Sequence, residues 1–209
     1  MTHLYLFNEG ARAAEYGIGT YIRQLTECLR DREDVSLTIV QVYCQGKEEF
    51  TVEEDQAVRT IYCPGSAPPS PKLLDKYFRN AWYLIYPYIQ YRDGDKLIFH
   101  LNYCSEYPLL EKIKEDFPWC RAIYTIHYQK WCFTLKGNTS WFKHIIRKRK
   151  EDLAGEEEKK AFEIYEAEKK MYALADQVIC LSEYTRQLLI TEYHIPPLKI
   201  ARICNGLDD

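Results

Sequence analysis

The stretch "EYGIGTYIRQL", residues 15–25, sets Gly17 and Gly19 in a G-x-G spacing and runs at once into a helical pattern. Ahead of it stands the apolar run "HLYLFN" (3–8). A strand, a glycine turn and a helix together make the opening unit of a doubly wound α/β fold. Beyond Gly17, residues Ile18, Tyr21, Ile22, Leu25, Cys28 and Leu29 recur on one helical face. A glycine turn that opens a helix lets backbone approach an anion. It also presents unpaired N–H groups together with the positive end of the helix dipole. The same glycines equally suit a plain tight connection.

Outward from this stretch, strand-like runs recur as "VSLTIVQVY", "AVRTIYC", "KLIFHLN", "RAIYTIHY", "QVICLS" and "KIARICN". Most are continuously apolar or β-branched rather than alternating, as expected of strands buried on both faces. Helical patterns fill the gaps: 71–91 with Pro87 as a kink or stop, 105–117, and 141–175 with a break near Gly155. A last helix opens at Ser182, whose hydroxyl suits an N-cap. The alternation predicts a doubly wound, mostly parallel, Rossmann-like sheet in one α/β domain over residues 1–209. Ligand sites in such sheets lie outside the carboxyl ends of the strands. That rule selects Asn8–Tyr16, His100–Cys104, His127–Trp131, Ser182–Tyr184 and Asn205–Gly206.

The dinucleotide fingerprint fails at three points. The loop ahead of Gly17 is too long for the tight first turn, and Ile22 stands where a third glycine would allow close helix–strand packing. The second strand ends in "QVYCQG", with no acidic residue for a ribose hydroxyl. A P-loop fails as well, because no Gly-Lys-Ser/Thr follows.

Bulk properties narrow the classes further. The net charge of −3 gives no global attraction to nucleic acid, so an anion site must be local, and no nucleic-acid partner is expected. No apolar run approaches the ~18 residues of a membrane span, and the N-terminus lacks a signal pattern; a cytoplasmic location is expected. The eight cysteines include no C-x-x-C pair, so they read as reduced core residues and no metal site is expected.

"YGIGTYIRQLTECL" resembles the N-terminal loop and first helix of the glycosyltransferase family 4 enzymes, whose usual form is G-G-I-G-R-Y before an amphipathic helix. "TIHYQKW" resembles the family's strand ending in His-Asp. "ALADQVICLSEYTRQLLITEYHIPPLKIARICNGLDD" resembles the stretch closing the N-terminal domain, where a Ser-Glu turn and helix lead to a strand and Asn-Gly-Val-Asp. The three motifs stand in the family's order, whereas residues 44–96 match only as generic α/β sequence. Tyr16 replaces the first glycine, Thr20 the arginine and Tyr128 the aspartate.

The resemblance implies the N-terminal, acceptor-side half of a GT-B architecture, with a C-terminal nucleotide-sugar domain beyond this chain. It implies a retaining glycosyl transfer from a nucleotide-sugar to a glycan or lipid-linked acceptor, with no cofactor and no bound metal. Gly17 and Gly19 would approach the donor diphosphate, and His127 would stand beside the donor sugar as the catalytic-site histidine. Tyr16, His100, Asn102, Ser182 and Glu183 are candidates for the acceptor cleft. The alternative is a non-catalytic α/β module that binds a nucleotide, a sugar or a partner protein. A downstream domain with a basic residue and an E-x7-E pattern would favour the enzyme.

One segment stands apart. "WCFTLKGNTSWFKHIIRKRK" mixes aromatics with six Lys or Arg. Its part Trp141–Lys150 is a candidate for peripheral contact with the inner face of a membrane; alternatively its aromatics line a sugar site or pack into the core, with the basic side solvated.

Overall fold

The computed structural model describes residues 1–10, 17–55, 58–65 and 70–204; Tyr16 and the pair Asn205–Gly206 lie outside the described residues. In chain order the strands are β1 (Thr2–Glu9), β2 (Val35–Cys44), β3 (Thr51–Asp55), β4 (Val58–Pro64), β5 (Lys96–Leu101), β6 (Arg121–Ile126), β7 (Gln177–Cys180) and β8 (Ile200–Arg202). The helices are α1 (Gly17–Leu29), α2 (Pro71–Ile85), α3 (Tyr107–Asp116), α4 (Lys130–Thr134), α5 (Thr139–Ile145), α6 (Gly155–Leu174) and α7 (Glu183–Thr191).

The sheet has eight strands in the order β3-β4-β2-β1-β5-β6-β7-β8. β1 pairs in parallel with β2 on one side and β5 on the other, so the winding reverses at β1. β2–β4, β5–β6 and β7–β8 are parallel too, and β3 runs antiparallel on β4. This is the doubly wound, mostly parallel α/β sheet expected from the sequence. β3 is the strand the sequence hides: "TVEED" reads as an acidic loop, and Glu53, Glu54 and Asp55 are exposed on this edge, where charge blunts further pairing.

The chain divides into two compact units, Met1–Thr125 with Ala175–Gln177, and Ile126–Leu174 with Val178–Asp209. In the first unit, Leu6, Phe7, Val40, Ile61, Phe99 and Leu101 are fully buried along the strands. α2 begins with Pro71 at a helix start, where the missing N–H costs nothing, and buries Phe78, Ala81, Trp82 and Ile85. Pro87 ends it, leaving a single 3-10 turn over Tyr86–Tyr88. The Trp82 ring meets Phe99 and Phe117 edge-on, and its Nε1 donates to Asp116 at 2.6 Å.

One close approach shapes the carboxyl end of β2. The β2–β4 register shifts between Gln41 and Cys44, and Tyr43 takes a left-handed backbone with φ 56°. Gly10 and Gly65 flank it. A Cβ on Gly10 would fall 2.7 Å from the Tyr43 carbonyl oxygen, and one on Gly65 would fall 2.8 Å from the Tyr43 Cα. Only glycine fits at either position.

The second unit has its own core. Trp131 stacks on Phe142 with centroids 4.1 Å apart, and Tyr165 and Tyr172 pack on Tyr193. α6 starts at Gly155, where the sequence places a break, and turns Ala161, Tyr165, Met171 and Tyr172 inward.

Candidate functional site

Where winding reverses, neighbouring loops leave the sheet in opposite directions and open a crevice at the strands' carboxyl ends. In the first unit that place lies beyond β1 and β5, and side chains brace it. Asn102 Nδ2 donates to the Phe7 carbonyl at 2.8 Å, and the Tyr103 hydroxyl donates to Asn8 Oδ1 at 3.2 Å. Asn8 Nδ2 donates to Gln41 Oε1 at 3.0 Å, and Ser105 Oγ donates to the Glu9 carboxylate. Glu106 is fully buried, and its Oε2 accepts the backbone N–H of both Asn102 and Tyr103 at 3.0 Å. His100, 4% exposed, shares a 2.7 Å hydrogen bond with Thr125 Oγ1, and Tyr21 packs edge-on against its ring. His100 and Asn102 thus lie beneath the surface and tie strands together.

Gly17 and Gly19 both lie within α1 rather than in a loop ahead of it. Glycine in a helix costs up to ~1 kcal/mol relative to alanine, so its presence calls for a reason. Packing does not supply one at Gly17: an added Cβ there would meet nothing within 4 Å. Gly19 lines an open groove of about 320 Å³ with Asn8, Ile22, Arg23 and Gln41. A small residue at the start of the helix, beside empty space, leaves room for a ligand's approach to the backbone.

In the second unit His127 is the first residue past β6 and is half-buried. Burial lowers its pKa to about 4, so the imidazole is neutral at physiological pH. Tyr128 and Gln129 complete the connection to α4. Gln129, at the N-cap position, makes no side-chain cap bond; instead the Lys130 N–H donates to Glu168 Oε1 of α6 at 2.9 Å. Ser182 acts as the predicted N-cap, its Oγ accepting from the Thr185 N–H at 3.1 Å. Glu183 is exposed. Its hydrogen bonds from Gln187 Nε2 (2.7 Å) and Arg186 (3.3 Å) hold its carboxyl below the usual range. The predicted site residues thus fall in both units: Gly17, Gly19, His100 and Asn102 in the first, His127, Ser182 and Glu183 in the second.

The aromatic and basic segment is a core element of the second unit. Phe142 and Ile145 are fully buried, and the Trp141 indole donates to Glu158 at 3.2 Å. Lys148 pairs with the same Glu158 at 2.8 Å, and Lys143 and Arg147 pair with Glu192 at 3.0 and 3.5 Å. The apolar side that would enter a lipid surface is occupied by the unit's own packing. No helix among the described residues is long and apolar enough to cross a membrane. Among them, no group of three or more His, Cys, Asp or Glu side chains is arranged to hold a metal ion.

Sequence reasoning singles out Glu106 as a possible partner of sugar hydroxyls, whereas it is buried and bonded to backbone, and it misses Glu168, the carboxylate buried beside the His127 connection. Glu168 sits among other Glu and Lys residues in a long charged helix. Its signal is phase: it falls three residues after Tyr165 and three and four before Met171 and Tyr172, inside the apolar stripe.

The doubly wound sheet thus carries a small-residue helix start after β1 and a neutral histidine just past β6. The family model of Glycosyltransferase Family 4 matches residues 16–209, and the chain belongs to that family. Its fold is similar to sucrose-phosphate synthase from Thermosynechococcus elongatus, at 17% identity and a TM-score of 0.66, covering 100% of this chain and 49% of that one. It is also similar to the catalytic domain of starch synthase IV from Arabidopsis thaliana bound to ADP and acarbose (13%, TM-score 0.56, 99% and 52% coverage). A third likeness is to the UDP-forming α,α-trehalose-phosphate synthase from Burkholderia vietnamiensis (10%, TM-score 0.56, 100% and 48%). The chain spans about half the length of these structures. No curated protein is significantly similar in sequence. The architecture is that of one GT-B half.

Proposed function

We propose that this chain is the acceptor-side half of a retaining glycosyltransferase that moves a sugar from a nucleotide-sugar to a glycan or lipid-linked acceptor. A second domain in the same polypeptide would hold the nucleotide, and the donor would be the only small molecule the reaction needs besides the acceptor. The observation that carries the reading is Gly17, a helix-start glycine with open space where a side chain would stand.

As the glycosidic bond to the donor breaks, the ring gains positive charge and the departing diphosphate gains negative charge. Backbone N–H groups and the helix dipole at the start of α1 suit the second of these. His127 would hydrogen-bond a donor-sugar hydroxyl. A pKa of about 4 keeps it neutral, so it orients the sugar without setting a positive charge beside a cationic ring. Tyr16, Ser182 and Glu183 remain the acceptor-side candidates, and His100 and Asn102 take supporting roles behind the cleft. The protein would work in the cytosol, on soluble acceptors or on acceptors presented at a membrane face.

Gly17→Val in the full-length protein tests the reading. A Cβ there meets nothing within 4 Å, and the valine side chain would occupy the space assigned to the diphosphate. Release of nucleoside diphosphate from a panel of nucleotide-sugars should fall at least ~100-fold with the melting temperature nearly unchanged. Full activity in the variant would reject the diphosphate cradle.

A further inference from the structure

The connection from β6 to α4 is only three residues long, His127, Tyr128 and Gln129, so whatever fixes its far end fixes the histidine. The near end is fixed by the strand. The far end has no local cap: Gln129 makes no cap bond, and its buried Nε2 has no hydrogen-bond partner. A carboxylate 38 residues away takes over that work.

We propose that Glu168 is a positioning residue for His127, holding the first amide of α4 and thereby the step from β6 that carries the imidazole; this rests on the reading of His127 as a donor-sugar contact. Glu168 is 2% exposed. One oxygen accepts the Lys130 N–H at 2.9 Å, and the other accepts the Tyr193 hydroxyl. α4 supplies the amide, α6 the carboxylate, and the segment after α7 the phenol. The carboxylate is therefore clamped between elements that must keep their spacing.

A purely packing role is a poor account of the residue. Its neighbours on the same face of α6 are Ala161, Tyr165, Met171 and Tyr172, and an apolar side chain would extend that stripe without the cost of burying a carboxyl group. What an apolar residue cannot do is accept from Lys130. The short helix α4 is also anchored by Trp131 stacked on Phe142, which holds its body but not its first amide. The charged and titratable groups facing Glu168 are Lys130 and Cys132 on α4 and Tyr193 beyond α7.

Histidine 1H–13C spectra of the protein across pH test this directly, with His127→Gln assigning the signal among the five histidines. In the parent, His127 should titrate near 4, well below the free value of 6.5. Glu168→Leu should move the midpoint upward toward 6.5 and speed hydrogen exchange at the Lys130 amide about tenfold or more. Glu168→Gln keeps an oxygen for Lys130 and an amide for the Tyr193 oxygen, and should restore both readings. If Glu168→Leu does not fold, Glu168→Asp replaces it: the carboxylate withdrawn by one methylene should still raise the midpoint. An unchanged His127 titration and Lys130 exchange in the folded Leu or Asp variant, or a Gln variant no better than either, would overturn the proposal. These spectra report the ring's surroundings whether or not sugar is transferred. Failure here leaves the functional reading intact, and loss of that reading leaves the expected spectra unchanged.

Discussion

Two histidines stand at the ends of adjacent parallel strands, in "LIFHLN" and "AIYTIHYQ", and the fold uses them differently. His100 is still inside the sheet, opposite Ile123 in the β5–β6 register, with its ring nitrogen bonded to Thr125. His127 lies one residue past the end of β6 and is only half-buried. Four residues in the shared register separate a histidine that braces the sheet from one just past its carboxyl end. The loops differ in the same sense. Beyond β5, Glu106 caps the chain from four residues away, whereas beyond β6 the cap arrives from a different helix.

The sharpest way to break this contrast is to truncate both side chains in the full-length protein. His127→Ala should lower turnover 10²–10³-fold, the range for losing one transition-state hydrogen bond, while its melting temperature moves little. His100→Ala should instead cost roughly 2–3 kcal/mol of stability, through the cavity it leaves and the hydrogen bond to Thr125 it loses, with the folded fraction still active. Parallel kinetics and melts check both. A reversed pattern would mean that His100 faces the substrate.

A second effect, of about 3 kcal/mol for each group, lies in the pH dependence of stability. Burial lowers the His127 pKa from 6.5 to about 4, so between those values the unfolded chain binds the extra proton and stability rises with pH. Burial raises the Glu168 pKa from 4.5 to about 7, against hydrogen bonds from Tyr193 and Lys130 that pull it down. Between those values the folded chain keeps the extra proton, and stability falls as pH rises. The two windows overlap from 4.5 to 6.5, where the slopes oppose and the parent should be nearly flat. Denaturant melts should show stability rising with pH in Glu168→Gln and falling in His127→Ala. Two flat variants would show that neither group is buried as described.

The smallest effect separates the glycines. Gly17→Ala should raise stability by up to ~1 kcal/mol, since a methyl group meets nothing and alanine favours the helix. Gly10→Ala should lower it, because its methyl would strike the Tyr43 carbonyl. A chemical melt that finds Gly17→Ala destabilising would reveal a packing role for that glycine.

Much of the fold can be read in the sequence because it rests on local patterns. The parallel strands announce themselves as apolar runs, Pro87 ends a helix, Gly155 opens one, and Ser182 caps one through its own hydroxyl. β3 escapes because its pairing with β4, and not its composition, makes it a strand. The candidate glycines and His127 are singled out by the family resemblance of their motifs, since their place beside predicted strands alone leaves plain structural roles open. The buried supports are not singled out. Glu168 meets Lys130 across 38 residues, and Asn102 meets Phe7 across 95, separations at which a single sequence carries no local signal. The carboxylate partners of the basic stretch 141–150, Glu158 and Glu192, likewise come from later in the chain.

The knot of backbone at Tyr43 has a consequence for heredity. Gly10 and Gly65 press on one residue from both sides, so a change at either is tolerated only if the β2 bulge is rebuilt with it. A library randomised at positions 10, 17 and 65 and sorted only for soluble, folded protein should return glycine at 10 and 65 and a mixture at 17. Sorting the same library for sugar transfer should bring glycine back at 17 as well. The letters at 10 and 65 would then record what the fold demands, and the letter at 17 what the ligand demands.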